Sequence, residues 1–319
     1  MGDKYEDVMR RNRSRIVLLA IAGLVNYWIA VLVFIVAVLI GTIGILFVRG
    51  VLEGGDFGLA WKIIRGIPGA IAWAVAAGWL SSPVMAWLFW GFIAIGTLMA
   101  FGMMRGRLGK LERSLPSAGA ADERVAGILE AVAIAAGVPA PPLAVLEDVA
   151  LNSCSVGRKP ERATIVVTRG LVDGLTRDEL EAVLAYELSR VTSFDTGVAT
   201  WTSAVTGRTI ELSEKSERVM VQLALVVSVR LARRLRARTL RRQAGQRDIL
   251  ALGFTRYPEA LLSALEKIEA DKKPVVAAGA ETAPLWLEWP WPDAREADQV
   301  PALGSRIQEL RTLVSAVGT

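Results

Sequence analysis

The 319-residue chain contains no histidine, which excludes every mechanism that needs imidazole: His-rich zinc sites, Ser-His-Asp triads and Cys-His dyads. Its one cysteine, Cys154, excludes an intrachain disulfide and gives no sign of an oxidising compartment. With 37 Lys and Arg against 32 Asp and Glu, and 53% apolar residues, the chain favours anionic partners and has room for membrane anchors beside one soluble domain, or for two modest domains.

Residues 1–15 form a basic amino-terminal segment carrying Arg10, Arg11, Arg13 and Arg15. Residues 16–48 (IVLLAIAGLVNYWIAVLVFIVAVLIGTIGILFV) are an almost unbroken apolar run. About 20 apolar residues cross a bilayer, so this stretch predicts a transmembrane segment with length to tilt or to project beyond the lipid. It is too long for a signal peptide, and no small-residue cleavage site follows it. Asn26, Tyr27 and Trp28 mark an interfacial level or a helix contact within it. Residues 49–69, including DFGLAWKIIRGIPG, are mixed and predict an extracytoplasmic loop or an interfacial segment. A second transmembrane segment is predicted over 70–104, kinked or broken at Ser81-Ser82-Pro83. Arg105, Arg107, Lys110 and Arg113 follow it, so the positive-inside rule places both flanks in the cytoplasm. The expectation is a multi-pass protein of the cell (inner or plasma) membrane presenting residues 105–319 as a cytoplasmic domain.

From Asp122 the pattern becomes globular. ERVAGILEAVAIAAGVPAP predicts an amphipathic helix, with Val125, Ile128, Leu129 and Val132 at helical spacing and Gly137 and Pro139 as the stop. PPLAVLED predicts a short strand, LNSCSVGRKPE a loop, RATIVVT a second strand and RGLVDGL a turn. Thr176 then reads as an N-cap, with Asp178 and Glu179 in the first turn of a partly buried helix through Leu180, Val183, Leu184 and Leu188 to about Val191. ELSEKSER (211–218) predicts charged helix, and VMVQLALVVSV (219–229) an apolar helix too short for a span, buried against the domain or lying at the membrane surface. The series Arg230, Arg233, Arg234, Arg236, Arg238, Arg241 and Arg242 reads as a lipid-facing stripe drawn to the anionic inner leaflet. Without interleaved aromatics or a recognisable module it does not read as a nucleic-acid site. TRYPEALLSALEKIEA predicts a further helix, and PLWLEWPWPD places Trp286, Trp289 and Trp291 either in aromatic packing or in a membrane- or partner-docking loop. The composition, rich in Arg, Ala and Gly, suits a GC-rich bacterium.

Several of these blocks, in this order, resemble the HtpX-like membrane metallopeptidases, relatives of the CAAX prenyl proteases. The resemblance covers roughly 123–268 and is carried by AGVPAPPLAVLED, by NSCSVG in place of an NAFATG-like segment, by VVTRGLVDGLTRDELEAVLAYELSRVTSFD and by RDILALGFTRYPEALLSALEKI. It implies an α+β, mostly helical fold, with a transmembrane helical hairpin followed by a zincin-like cytoplasmic domain. In such a fold RATIVVT borders the cleft, so Ile165, Val166 and Val167 are expected to form an edge strand able to hold a peptide by strand addition.

In that family the long helix reads HELSH, and a later helix has a Glu four residues before an Asp. The HExxH spacing sets two imidazoles on one helix face to grip zinc, with the intervening Glu as general base. This chain departs from that pattern at each ligand: Tyr186 and Arg190 stand at the two histidine positions, and Ala244, four before Asp248, at the third. Only the base position, Glu187, is retained. A phenol ionises near pH 10 and a guanidinium cannot ligate at all, so zinc is expected to be absent. Arg190, three residues after Glu187, is within ion-pair reach on one helix face. It is expected to supply the charge that a buried Glu187 needs, with Asp248 as a further acceptor and Tyr186 filling the vacated volume and donating one hydrogen bond. The other reading leaves these side chains in solvent. The expected function is a catalytically inactive, membrane-anchored binding, scaffold or regulatory subunit, its partners the lipid bilayer and other membrane proteins, either an active paralogous protease or a larger membrane complex. The alternative is an active membrane metalloendopeptidase in membrane protein quality control with an atypical site. Ser189, Ser193 and Cys154 are candidate nucleophiles without a nearby lysine to make a dyad.

Overall fold

The computed structural model describes residues 2–52, 65–66, 83–114, 119–120, 122–215, 228–239, 258–279, 281–291 and 303–317. Two compact units result: Met1–Gly23 with Met104–Lys215 and Val229–Thr319, and Leu24–Met103 with Ser216–Ser228.

The apolar run 16–48 lies within one continuous helix, α1 (Gly2–Leu52), and Pro83, expected to interrupt the second run, opens α2 (Pro83–Ser114). Pro suits that place because the first helical turn has no use for its missing N–H. Residues 70–82 of the predicted second segment, and most of 49–69, lie outside the described residues. Among the described residues, Glu6–Val33 and Trp87–Arg113 are long and apolar enough to cross a membrane. Leu18, Val25 and Leu32 on α1, and Trp87, Trp90 and Leu98 on α2, are largely exposed, and apolar surface of this kind marks a membrane or protein contact. Trp28 is a helix contact: its Nε1 donates to Thr97 Oγ1 at 3.3 Å, and a Cβ at Gly96 would come within 2.6 Å of its ring. A small residue there lets the indole reach the facing backbone.

The larger unit is built on a four-stranded sheet of order β1-β2-β4-β3. The strands are β1 (Gly119–Ala120), β2 (Leu143–Leu146), β3 (Ser153–Val156) and β4 (Thr164–Thr168). β4 lies parallel to β2 (Leu143 beside Ile165) and antiparallel to β3 (Ser153 beside Val167). Side chains alternate across a strand, and β4 uses both faces. Ile165 and Val167 enter one apolar cluster with Val125, Leu129, Leu180, Leu184, Leu261 and Leu265, while Val166 enters another with Cys154, Ala199, Leu285 and Trp286.

Three helices supply most of the first cluster. In α3 (Glu123–Ala136) the expected stripe is buried, Asp122 caps the start by accepting from Arg124 N–H, and Gly137 ends it in the left-handed conformation at φ 68°. After α4 (Arg169–Gly174), α5 (Arg177–Thr192) starts from a reciprocal capping box between Thr176 and Glu179. Burial opposes the charge of Glu179, but hydrogen bonds from Lys267, Ser263 and Thr176 outweigh it and hold the carboxyl at about 2. These bonds tie α5 to α8 (Pro258–Ala270), which meets α9 (Leu303–Val317); α6 (Asp195–Lys215) and helical residues 229–239 complete the described α-helices of the larger unit.

Two expectations for this region change. LNSCSVGRKPE contains β3 instead of being all loop, because the Ser153 and Ser155 hydroxyls find buried partners, Glu187 and Thr196, within an antiparallel ladder. RGLVDGL is the short helix α4, capped by Thr168 Oγ1 accepting from Leu171 N–H, instead of a turn. ELSEKSER supplies the end of α6 through Lys215; 216–227, and with them most of VMVQLALVVSV, lie outside the described residues.

Candidate functional site

The second half of α5, beyond its capping box, carries the altered pentad. Tyr186, Glu187 and Arg190 are almost completely buried, so the solvent-facing reading does not hold. Arg190 Nη1 donates to Glu187 Oε2 at 2.9 Å and to Oε1 at 3.1 Å, and the side chains of both residues are fully enclosed. The i, i+3 spacing on one helix makes this meeting possible. Ser153 Oγ, from β3, donates to Glu187 Oε1 at 2.8 Å.

The remaining donors of Arg190 face other segments. Nη2 donates to the Leu285 carbonyl at 3.1 Å, and Nε faces Asp195 Oδ2 at 3.4 Å. Asp195 reaches this position because the chain turns from α5 into α6 through Phe194, at φ 63°. Such a left-handed conformation costs a bulky residue about 1–3 kcal/mol. Burial alone would favour an uncharged Arg190, but Glu187, then Tyr186 and Asp195, outweigh it and push its pKa upward, so the side chain stays a cation. Asp248, the further acceptor expected from sequence, and Ala244 lie outside the described residues.

Tyr186 makes a contact that the sequence did not anticipate. Its hydroxyl oxygen accepts a hydrogen bond from Arg306 Nη2 at 3.0 Å. Its ring lies 6.0 Å from the Arg190 guanidinium and 5.6 Å from that of Arg306, so the phenol sits between two cations.

The candidate nucleophiles are occupied or suppressed. Ser189 Oγ donates to the Tyr186 carbonyl at 2.7 Å and Ser193 Oγ to the Arg190 carbonyl at 3.3 Å, both bonds to their own helix. Burial first, and then the Glu187 charge, push the Cys154 thiol well above its ordinary range, which disfavours the thiolate. Among the described residues no three His, Cys, Asp or Glu side chains come together in a way that could hold a metal ion.

Two expected binding features are corrected. Ile165, Val166 and Val167 do not form an edge: β4 is flanked by β2 and β3, all three residues are completely buried, and β3 is the outer strand. Trp286 and Trp289 do not form an exposed docking loop: they are 3% and 8% exposed, and Trp291 packs edge-to-face on Trp289. Their apolar area is satisfied within the domain. Of the arginine series, Arg230, Arg234 and Arg238 are exposed at four-residue spacing, whereas Arg236 turns inward over the Trp289 ring at 5.2 Å; Arg241 and Arg242 lie outside the described residues. Sequence reasoning did not single out Ser153, Asp195, Arg306 or the Leu285 carbonyl as members of the site. Ser153 and Asp195 did fall inside the blocks NSCSVG and RVTSFD.

Residues 120–314 match the model of Peptidase family M48. The chain is 31% identical over 206 residues to a protein named Protease HtpX homolog from Dictyoglomus turgidum, covering 58% of this chain and 68% of that one. It is 32% identical over 205 residues to the protein of the same name from Dictyoglomus thermophilum, with 58% and 68% covered, and 25% identical over 218 residues to that from Listeria welshimeri, with 58% and 72% covered. No solved structure matches the chain.

Proposed function

The chain belongs to peptidase family M48, as an HtpX-like member, and from that premise we propose that it is a membrane-anchored pseudopeptidase, a fold retained for binding after loss of catalysis. One observation carries this reading: the fully buried guanidinium of Arg190 bound to both oxygens of Glu187.

Three pieces of chemistry support it. Zinc peptidases of this family need neutral nitrogen ligands on the α5 face and a free carboxylate as base. Arg190 is a permanent cation with no lone pair to give. At 4 Å it would repel a dication by about 8 kcal/mol at an effective dielectric of 20. Glu187 accepts three hydrogen bonds, two from Arg190 and one from Ser153, and the Tyr186 oxygen receives a proton donor from Arg306. The residues present therefore do not fit a zinc ion, and no hydrolytic step is derived through one. A buried carboxylate left without metal requires a cation beside it, and Arg190 meets that requirement.

The membrane placement follows the same logic. The basic flanks at Arg10–Arg15 and Arg105–Arg113 support a hairpin with both ends in the cytoplasm. Exposed Arg230, Arg234 and Arg238 support a face turned towards anionic headgroups. The partners of such a protein are other membrane proteins, an active paralogous protease or a larger complex among them.

Proteolysis tests the reading. The full chain purified in detergent, and its Glu187→Gln variant, are each incubated with an unfolded protein substrate. Equal background cleavage by both is expected. Hydrolysis by the wild type that falls with Glu187→Gln, in protein shown to remain folded, would mean an active peptidase with an atypical site.

A further inference from the structure

The outer edge of β3 is taken by the chain itself. Leu287 N–H donates to the Ser153 carbonyl at 2.8 Å, and Trp286 pairs with Cys154 as an antiparallel bridge. The Asn152 side chain extends this pairing: its Nδ2 donates to the Glu288 carbonyl at 3.0 Å, and its Oδ1 accepts from Glu288 N–H at 3.3 Å. Arginines engage two alternate carbonyls, with Arg190 on Leu285 at 3.1 Å and Arg306 on Leu287 at 3.5 Å.

Ala283–Leu285 form a 3-10 turn, and from Trp286 the segment lies along β3 as a peptide does in strand addition, with main-chain bonds supplying affinity and side-chain pockets supplying selectivity. Leu285 and Trp286 enter the cluster containing Cys154 and Val166, Leu287 enters the cluster on the other side of the sheet, and Trp289 lies beneath Arg236. The attachment is shorter than a sheet ladder, a single bridge closed by side chains. Among the described residues, the indole N–H groups of Trp286 and Trp289 are buried without hydrogen-bond partners, and an unmet buried donor costs about 1–3 kcal/mol.

We infer that the edge of β3, with Asn152, Arg190 and Arg306, is a binding site for an extended apolar peptide, and that residues 283–289 occupy it as an internal strap fastened over Glu187. Arg190 is then a positioning residue for the strap as well as the counter-charge of Glu187. The strap covers the β3 edge whether or not the pentad retains chemistry, so the inference stands apart from the loss of catalysis.

Cys154 is a built-in reporter, since it is the only thiol in the chain and is completely buried against Leu285 and Trp286. In the full-length protein, Trp286→Ala is expected to raise the rate of Cys154 labelling by a maleimide about tenfold or more while helix content by circular dichroism is unchanged. A synthetic peptide of sequence TAPLWLEW added in trans should restore protection, and a scrambled peptide should not. Labelling at the wild-type rate, or no effect of the peptide, would overturn the inference. Hydrogen exchange on the wild type avoids the risk that the variant fails to fold. Residues 283–289 are expected to exchange through an opening that leaves β4 protected. Exchange of 283–289 and β4 only together, in global unfolding, would show that no separable strap exists. Proteolytic activity enters neither readout.

Discussion

Replacing Arg190 by methionine should destabilise the larger unit by about 3–5 kcal/mol, the cost of stranding a buried charge. The charge left behind is Glu187, whose remaining partner is Ser153 Oγ and which has no exposure to water. Asp195 and the Leu285 carbonyl lose a donor in the same step. Pairing the change with Glu187→Leu should recover much of the loss, because removing both charges removes the desolvation penalty as well as the attraction. Denaturant unfolding of the full chain in detergent, followed by tryptophan fluorescence across the two single variants and the double, reads the coupling directly. Additive losses would mean that Glu187 and Arg190 do not depend on one another.

Gly157→Ala should cost about 3 kcal/mol, from backbone strain together with overpacking. Gly157 follows β3 at φ 154°, and a Cβ there would lie 2.5 Å from Ala163 Cα and 2.8 Å from the Arg162 carbonyl oxygen. Its N–H donates to Thr200 Oγ1 at 3.1 Å, so the backbone cannot shift without loosening α6. β3 carries Ser153 and receives the strap, so the same change should loosen the site. Gly127→Ala is the control. Nothing lies within 4 Å of its added Cβ on α3, and a gain of about 0.5–1 kcal/mol is expected from helix propensity. Equal melting temperatures for the two variants would contradict the packing described for Gly157.

Elements whose signals are local were legible in the sequence. α3 has an apolar stripe at helical spacing between Asp122 and Gly137, and α5 has Thr176 and Glu179 at capping-box spacing; both elements form where those signals place them. β3 was not legible, because Ser-Cys-Ser-Val is too polar to read as a buried strand until Glu187 and Thr196 are brought to its hydroxyls. The apolar signal of α6 is diluted: beside Val198, Ala199 and Val205 its buried residues include Thr196, Thr200, Ser203 and Thr206, and Thr202 and Thr206 donate back to the carbonyls of Val198 and Thr202.

The site divides in the same way. Glu187 and Arg190 are three residues apart, so their pairing could be anticipated from helix geometry. Ser153 joins Glu187 across 34 residues of chain, Leu285 joins Arg190 across 95, and Arg306 joins the adjacent Tyr186 across 120. Only the packing of β3, the strap and α9 around α5 brings those groups together. The misplaced cleft edge has the same origin: RATIVVT looks like any apolar strand, and strand order is a tertiary property.

Elemental analysis bears most directly on the claim that a cation built into the chain has replaced a bound one. Full-length protein expressed with zinc supplied and purified in detergent without chelators should contain no more than trace zinc, and added zinc should leave its melting temperature unchanged. One zinc per chain, retained through gel filtration and raising the melting temperature, would contradict the account.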